Sequence, residues 1–301
     1  MSREILPVMM LYVMQKGWMY MKQISQRLLP WLALCLLTLL LLTGCVSAAP
    51  DKTPPPPLLS IESGPDITPE ETADFQQAAR ATTAYYQEQG LQLKKPVTLV
   101  LTRNRQAFLT ESINRFKVSE LEVHKAAKAV DALAGDHLIV FNVDGTPTTR
   151  QRVFILAHEL THQYQRELAG VNAGGVKWML EGMAEAVGAQ LVARAGFFSV
   201  PQYKNNWQTG ITMSPQKPFL SELRTSTGWS NSLSTYGGPL TYKTAGLANL
   251  ILLERYGTPK IITYFRELNR GATPEAAFRQ AFDLDMGQFE NEIAVLCRKA
   301  S

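Results

Sequence analysis

Cysteine is scarce in this chain, with three among 301 residues, at positions 35, 45 and 297. A small disulfide-stapled scaffold is therefore excluded, and stability must come from a packed core. A lasting excess of one charge is also missing. The formal charge is +4, but residues 1–44 hold Arg3, Lys16, Lys22 and Arg27 against Glu4, so the remainder carries 26 basic and 25 acidic residues. A near-neutral chain of this kind offers no basic footprint for nucleic acid. Histidine is rare, at four residues, and no internal repeat is visible. The most apolar run, Leu28–Leu42, spans 15 residues, short of the roughly 20 that cross a bilayer. What is present is ordinary globular composition, 46% hydrophobic and 19% charged, which excludes a wholly disordered or collagen-like chain.

The run Leu28–Leu42 has the length of a signal-peptide hydrophobic region, with Lys22 and Arg27 as the positive segment ahead of it. It is followed by Leu42-Thr43-Gly44-Cys45, which resembles the bacterial lipobox. That resemblance implies removal of residues 1–44 and lipidation of Cys45, with Met21 as a possible true start. Residues 45–69 then form a proline-rich tether, extended at Pro54–Pro57, and residues 70–301 form one domain. Cys35 leaves with the leader and Cys297 stands alone, so no intrachain disulfide is expected.

Along the domain, Thr68-Pro69-Glu70-Glu71 reads as a helix start with Thr68 as N-cap, and the helix stops at Gly90. Residues 96–102 and 137–143 read as strands, and 104–134 as helical in part. Helices are expected over 150–168 and 176–195, and again over 241–256, 259–268, 274–282 and 286–299. Residues 200–240, rich in Gly, Ser, Pro and Asn, read as a long irregular segment. The expected class is α+β, with a small N-terminal sheet, an active-site helix and a helical C-terminal part.

The helix at 150–168 contains His158-Glu159-Leu160-Thr161-His162. At this spacing two imidazoles lie about 40° apart around the helix and about 6 Å along it, within reach of one metal ion. Glu159 stands beside them, placed to meet a water that the metal activates. A chance HExxH somewhere in the chain has a probability on the order of 10⁻³. A catalytic zinc needs a third protein ligand. His124 and His137 lie upstream and read as a surface and a strand residue. Glu181 is the better candidate: it lies on the next helix, in Trp178-Met179-Leu180-Glu181-Gly182-Met183-Ala184-Glu185, with eighteen residues between it and His162. Gly170, Gly174 and Gly175 supply the turn, and Gly182 is expected to permit close approach of these two helices. Glu185, one turn beyond Glu181, can accept the free N–H of a metal-bound imidazole.

HExxH followed after eighteen residues by Glu, in a Trp-x-x-Glu-Gly-x-x-Glu context, resembles the gluzincin metallopeptidases, a peptidase-MA-like group that includes the thermolysin and aminopeptidase-N families. The resemblance implies a zincin-like domain binding one Zn2+ through His158, His162 and Glu181, with Glu159 as general base and Glu185 bonded to a ligand histidine. It implies a tyrosine downstream as oxyanion donor, Tyr242 first and Tyr236 as runner-up. The aminopeptidase motif Gly-Ala-Met-Glu-Asn is absent; the stretch before the active-site helix reads Leu133-Ala134-Gly135-Asp136-His137 and onward to Asn142, so the glutamate that binds a free amino terminus is missing. The strand at 137–143 is expected to be the sheet edge that receives an extended peptide. The expected function is a zinc metallopeptidase hydrolysing peptide or protein substrates in the bacterial cell envelope. It would be lipid-anchored through Cys45, at the periplasmic face of the outer membrane, since Val46 rather than Asp follows the cysteine. The alternatives are a catalytically silent scaffold lipoprotein and a zinc hydrolase acting on a non-peptide amide.

Overall fold

The computed structural model describes residues 59–127, 130–170 and 175–298. The leader, Cys45 and most of the tether lie outside the described residues. The architecture is α+β, a four-stranded sheet with mostly helices after it. None of the described helices is long and apolar enough to cross a membrane.

The sheet has the order β1-β2-β4-β3, where β1 is Leu59–Ser63, β2 Val97–Thr102, β3 Ala132–Ala134 and β4 Leu138–Asn142. The first three in space run parallel, with Leu59 opposite Val97 and Thr98 opposite Leu138; β3 pairs antiparallel to β4, Ala132 opposite Phe141. β2 and β4 are almost continuously apolar because both faces of the sheet are covered. On one face lie α1 (Pro69–Gln87) and α4 (Thr149–Ala169), and on the other α2 (Arg105–Phe116) and α3 (Glu120–Ala127), where Phe108, Leu109 and Val123 meet Val100 and Val140.

Three sequence expectations change here. Residues 59–63 belong to the sheet rather than to the tether, because β1 pairs along β2. The strand at 137–143 is not an edge: β4 lies between β2 and β3, and the edges are β1 and the short β3, the latter inside a segment read as partly helical. Three residues, Ala-Leu-Ala, carry too little β signal to be seen without the partner strand. Residues 200–240 are largely helical, as α6 (Val200–Met213), a 3₁₀ turn (Leu220–Leu223) and α7 (Ser226–Tyr236). Their polar residues are caps and exposed faces. Ser199 and Gln202 form a capping box and Thr225 caps α7, while Trp207, Ile211 and Trp229 are buried.

The expected capping box at Thr68 and Glu71 is present. The long helix Gly238–Asn269, α8, breaks at Gly257 (φ 75°) ahead of Pro259, so it acts as the two expected segments. α9 (Pro274–Phe282) and α10 (Met286–Leu296) close the fold against α8 and α5 (Lys177–Arg194). There Trp178, fully buried at the start of α5, donates its indole N–H to Glu290 Oε1 at 3.0 Å, and Arg224 Nη2 donates to Glu290 Oε2 at 2.6 Å. Each charge in this buried group therefore has a partner.

The helix α4, which carries His158 and His162, is held at both ends. At its start Arg152, buried, donates to Thr146 O (3.0 Å), Asp74 Oδ2 (2.9 Å) and Glu71 Oε1 (3.3 Å). Arg103 from the end of β2 also pairs with Glu71, at 2.6 Å. Further along, Tyr86 of α1 stacks on Tyr164 at 3.8 Å and donates to Thr161 Oγ1 at 3.0 Å. The hydrogen bond from Arg103, with Arg152 beside it, holds the Glu71 carboxyl at about 2 against burial. A carboxyl depressed on folding stabilises the fold above its unfolded value of 4.5 and loses that contribution as pH falls toward about 2. We expect Glu71→Gln to lower stability by about 1–2 kcal/mol at neutral pH and to flatten the decline between about pH 4.5 and 2. Urea melts of both proteins across that range measure it, and an unchanged acid slope would remove Glu71 from this role.

Candidate metal centre

α4 is buried along the stripe Val153, Leu156, Ala157, Leu160, Tyr164. Its His158 and His162 face α5, which returns antiparallel beside it and presents Glu181 and Glu185. The Nε2 atoms of His158 and His162 stand 3.1 Å apart, and Glu181 Oε2 lies 3.3 Å from the first and 3.6 Å from the second. Donors about 2.0–2.1 Å from a tetrahedral zinc stand about 3.3–3.4 Å from one another. The three donor atoms therefore already sit at the separations one small cation requires. Among the described residues this is the group that could hold a metal ion; His124, exposed on α3, and His137, in the β3–β4 turn with φ 53°, lie outside it.

The opposite ring nitrogens explain why both Nε2 atoms face inward as acceptors. His158 Nδ1 meets Glu185 Oε1 at 3.1 Å, and His162 Nδ1 meets Gln165 Oε1 at 2.8 Å. Gln165 is itself oriented, because its amide donates to Leu180 O at 2.8 Å. Each imidazole thus donates from Nδ1 and turns a lone pair inward at Nε2. Two lone pairs and a carboxylate oxygen converging in a buried site could hold a metal ion. Where the metal is absent a proton serves: burial alone would push the His158 imidazole down, but its bonds to Glu181 and Glu185 and the charge of Glu159 raise it to about 10. Burial likewise opposes ionisation of Glu181, yet His162, His158 and Lys177 hold its carboxyl well below the usual range. Lys177 Nζ sits 2.5 Å from Glu181 Oε1, on the side away from the histidines.

Glu159 lines two cavities that meet at the cluster. One, of about 660 Å³, runs toward Phe154, Ile155, Phe198, Tyr203 and Trp207; the other, of about 330 Å³, toward His162, Arg166, Lys177 and Glu181. The edge strand β3 borders both, through Ala132, and Tyr242 stands between them. The Tyr242 ring centroid lies 6.0 Å from that of His158 and its edge meets Trp229 at 5.0 Å. Burial, reinforced by the charges of Glu181, Glu185 and Glu159, pushes its phenol well above its ordinary value, so it remains a donor. Tyr236, at the end of α7, lines neither cavity.

The structure thus brings together His158, Glu159, His162, Glu181, Glu185 and Tyr242. It corrects the role of Gly182, which does not face α4. A Cβ there would stand 2.2 Å from Ala245 O and 2.2 Å from Asn249 Nδ2, both on α8; the glycine facing α4 is Gly188, where a Cβ would stand 3.0 Å from Phe154 O. Sequence reasoning missed Gln165, although its i+3 spacing from His162 places it on the same helix face.

No family model matches the chain, and neither a curated protein nor a solved structure does.

Because Gln165 sets the tautomer of His162, Gln165→Ala is expected to weaken zinc binding by roughly 10–100-fold with the fold retained. Competition with a chromophoric chelator measures it, and an unchanged affinity would show that His162 needs no such partner.

Proposed function

We propose that this chain is a zinc metallopeptidase of the gluzincin kind, with a zincin-like domain, lipid-anchored through Cys45 at the periplasmic face of the outer membrane. The observation that carries the reading is the convergence of His158 Nε2, His162 Nε2 and Glu181 Oε2 at mutual distances of 3.1, 3.3 and 3.6 Å, with Glu159 beside them in an open cleft. A zinc ion held by these three residues supplies Lewis acidity for a water nucleophile and for a scissile carbonyl.

The chain's own residues do the rest. Glu159 accepts a proton from the attacking water and returns it to the leaving amine. Tyr242, kept protonated, donates its phenolic hydrogen to the developing oxyanion. Glu185 and Gln165 hold the two imidazoles in the tautomer that keeps Nε2 free. The free edge of β3 receives an extended substrate backbone by strand addition, and passes it across Glu159 from one cavity to the other. Lipidation of Cys45 confines this activity to substrates at the membrane surface.

The purified domain is expected to carry about one zinc per chain. Glu159→Gln should keep that metal while losing hydrolysis of an unfolded protein. Tyr242→Phe should lower kcat by about 10²–10³-fold, the scale of one oxyanion donor. Absence of zinc would sink the reading; wild type and Glu159→Gln equally inert with metal bound would leave a scaffold. For the anchor, Cys45→Ser should move the protein from membrane to soluble fractions, and continued membrane retention would count against lipidation.

A further inference from the structure

The cavity of about 330 Å³ contains a cation that the chemistry above does not use. Arg166, one helical turn beyond His162, is half-buried, and burial pushes its guanidinium down from its ordinary value. Most arginines around this fold meet carboxylates: Arg103 and Arg152 at Glu71, Arg224 at Glu290, Arg194 at Glu88. Arg166 does not. Its guanidinium donates only to neutral carbonyls, Gly135 O and, at 3.2 Å, Ala134 O, and no ion pair to it forms among the described residues. Two carbonyls fix the direction of the fork without neutralising it. They also place it at the C-terminal end of β3, the edge along which a substrate backbone would lie.

The same cavity holds Lys177, whose ammonium is 2.5 Å from Glu181 and 5.9 Å from the centre of the Trp229 ring. With Glu181 engaged by the histidines and Lys177, Glu159 is the remaining anion on the wall. The opposite cavity sets Phe154, Ile155, Phe198, Tyr203 and Trp207 beside its own charged residues Arg150, Lys243, Asp131 and Glu185. The cleft is therefore asymmetric in its aromatic lining, which lies on one side of Glu159, with Arg166 on the other.

We propose that the smaller cavity is a carboxylate receptor, in which Arg166 binds an anionic group of the substrate on the side of the cleft opposite the aromatic cavity. The geometry suits a planar carboxylate, since a guanidinium anchored through part of its fork still offers N–H donors at a set angle. Two sources supply that chemistry: the carboxylate at the end of a peptide, or an acidic side chain within one. The inference deepens the peptidase reading and rests on it for the identity of the ligand as a peptide.

The test uses zinc-loaded Glu159→Gln protein and calorimetric titration with matched short peptides. One ends in a free carboxylate, one in an amide, one carries an internal Glu with an amide end, and one carries Gln in its place. N-acetylglutamate is titrated as a probe that is not a peptide substrate. We expect a carboxylate-bearing peptide to bind about tenfold more tightly than its neutral counterpart, the scale of one charge-assisted bidentate contact. Preference for the free end identifies the chain terminus, and preference for internal Glu an acidic side chain. Arg166→Gln should erase the contrast, and Arg166→Lys should restore part of it. Zinc content and melting temperature are followed in each variant, because Arg166 also ties down Ala134 and Gly135. Should Arg166→Gln fail to fold, the contrast in the parent and its reduction by Arg166→Lys decide. Equal binding of charged and neutral peptides by the parent overturns the proposal, as does a contrast that survives unchanged in the folded variants. Arg166-dependent binding of N-acetylglutamate without hydrolysis of any peptide by wild type would instead retain the receptor and remove the peptidase reading.

Discussion

Glu181 stands 3.3 and 3.6 Å from the two imidazoles on a helix, α5, that is pressed closely between α4 and α8. On one side Gly188 lies against the Phe154 carbonyl of α4; on the other Gly182 lies against Ala245 O and Asn249 of α8. Asn249 fills the remaining space and donates to Trp178 O at 3.0 Å and Ala245 O at 3.1 Å, so the close contact is also hydrogen-bonded. A larger residue at Gly182 would push α5 away from α8, and one at Gly188 would press on α4. Two positions without a side chain thus allow a buried site assembled from two helices.

That site collects more negative than positive charge from the protein, with Glu159, Glu181 and Glu185 around two histidines, and the surrounding structure is arranged to sustain it. Glu185 and Gln165 face the outer ring nitrogens, and Lys177 takes the second oxygen of Glu181. The inner atoms are thereby left as acceptors with nothing from the chain to donate to them except a proton on His158. The three inner atoms thus form a group that could hold a metal ion. The same logic extends to the Arg152–Glu71–Arg103–Asp74 group, which ties the start of α4 to α1 and β2 and keeps the helix from rotating its histidines away.

Much of this is legible in the chain because it is local. The HExxH spacing places two imidazoles on one helix face whatever the surrounding fold. The capping box at Thr68 and Glu71 and the break at Gly257 follow from backbone chemistry within a few residues. The segment 200–240 misleads for an equally local reason: Ser199 and Thr225, which suggest loop, are the caps of helices whose buried faces rest on a few well-spaced residues such as Trp207 and Ile211. β3 is legible only through its partner, because three small residues become a strand by pairing with Phe141, Val140 and Ile139.

The chain alone therefore specifies donor types and their order: two histidines one turn apart, a glutamate between them, and two more carboxylates a turn apart on the following helix. Those relations are set by the pitch of a helix, which depends on the backbone and on nothing distant. Which side of α5 its glycines face, that Gln165 bridges His162 to Leu180, that β3 rather than β4 is the edge beside the histidines, and that Arg166 rests on carbonyls rather than in an ion pair are relations set by the tertiary structure. They follow from how the helices and the sheet pack together, and packing depends on the shape of every surface in contact at once.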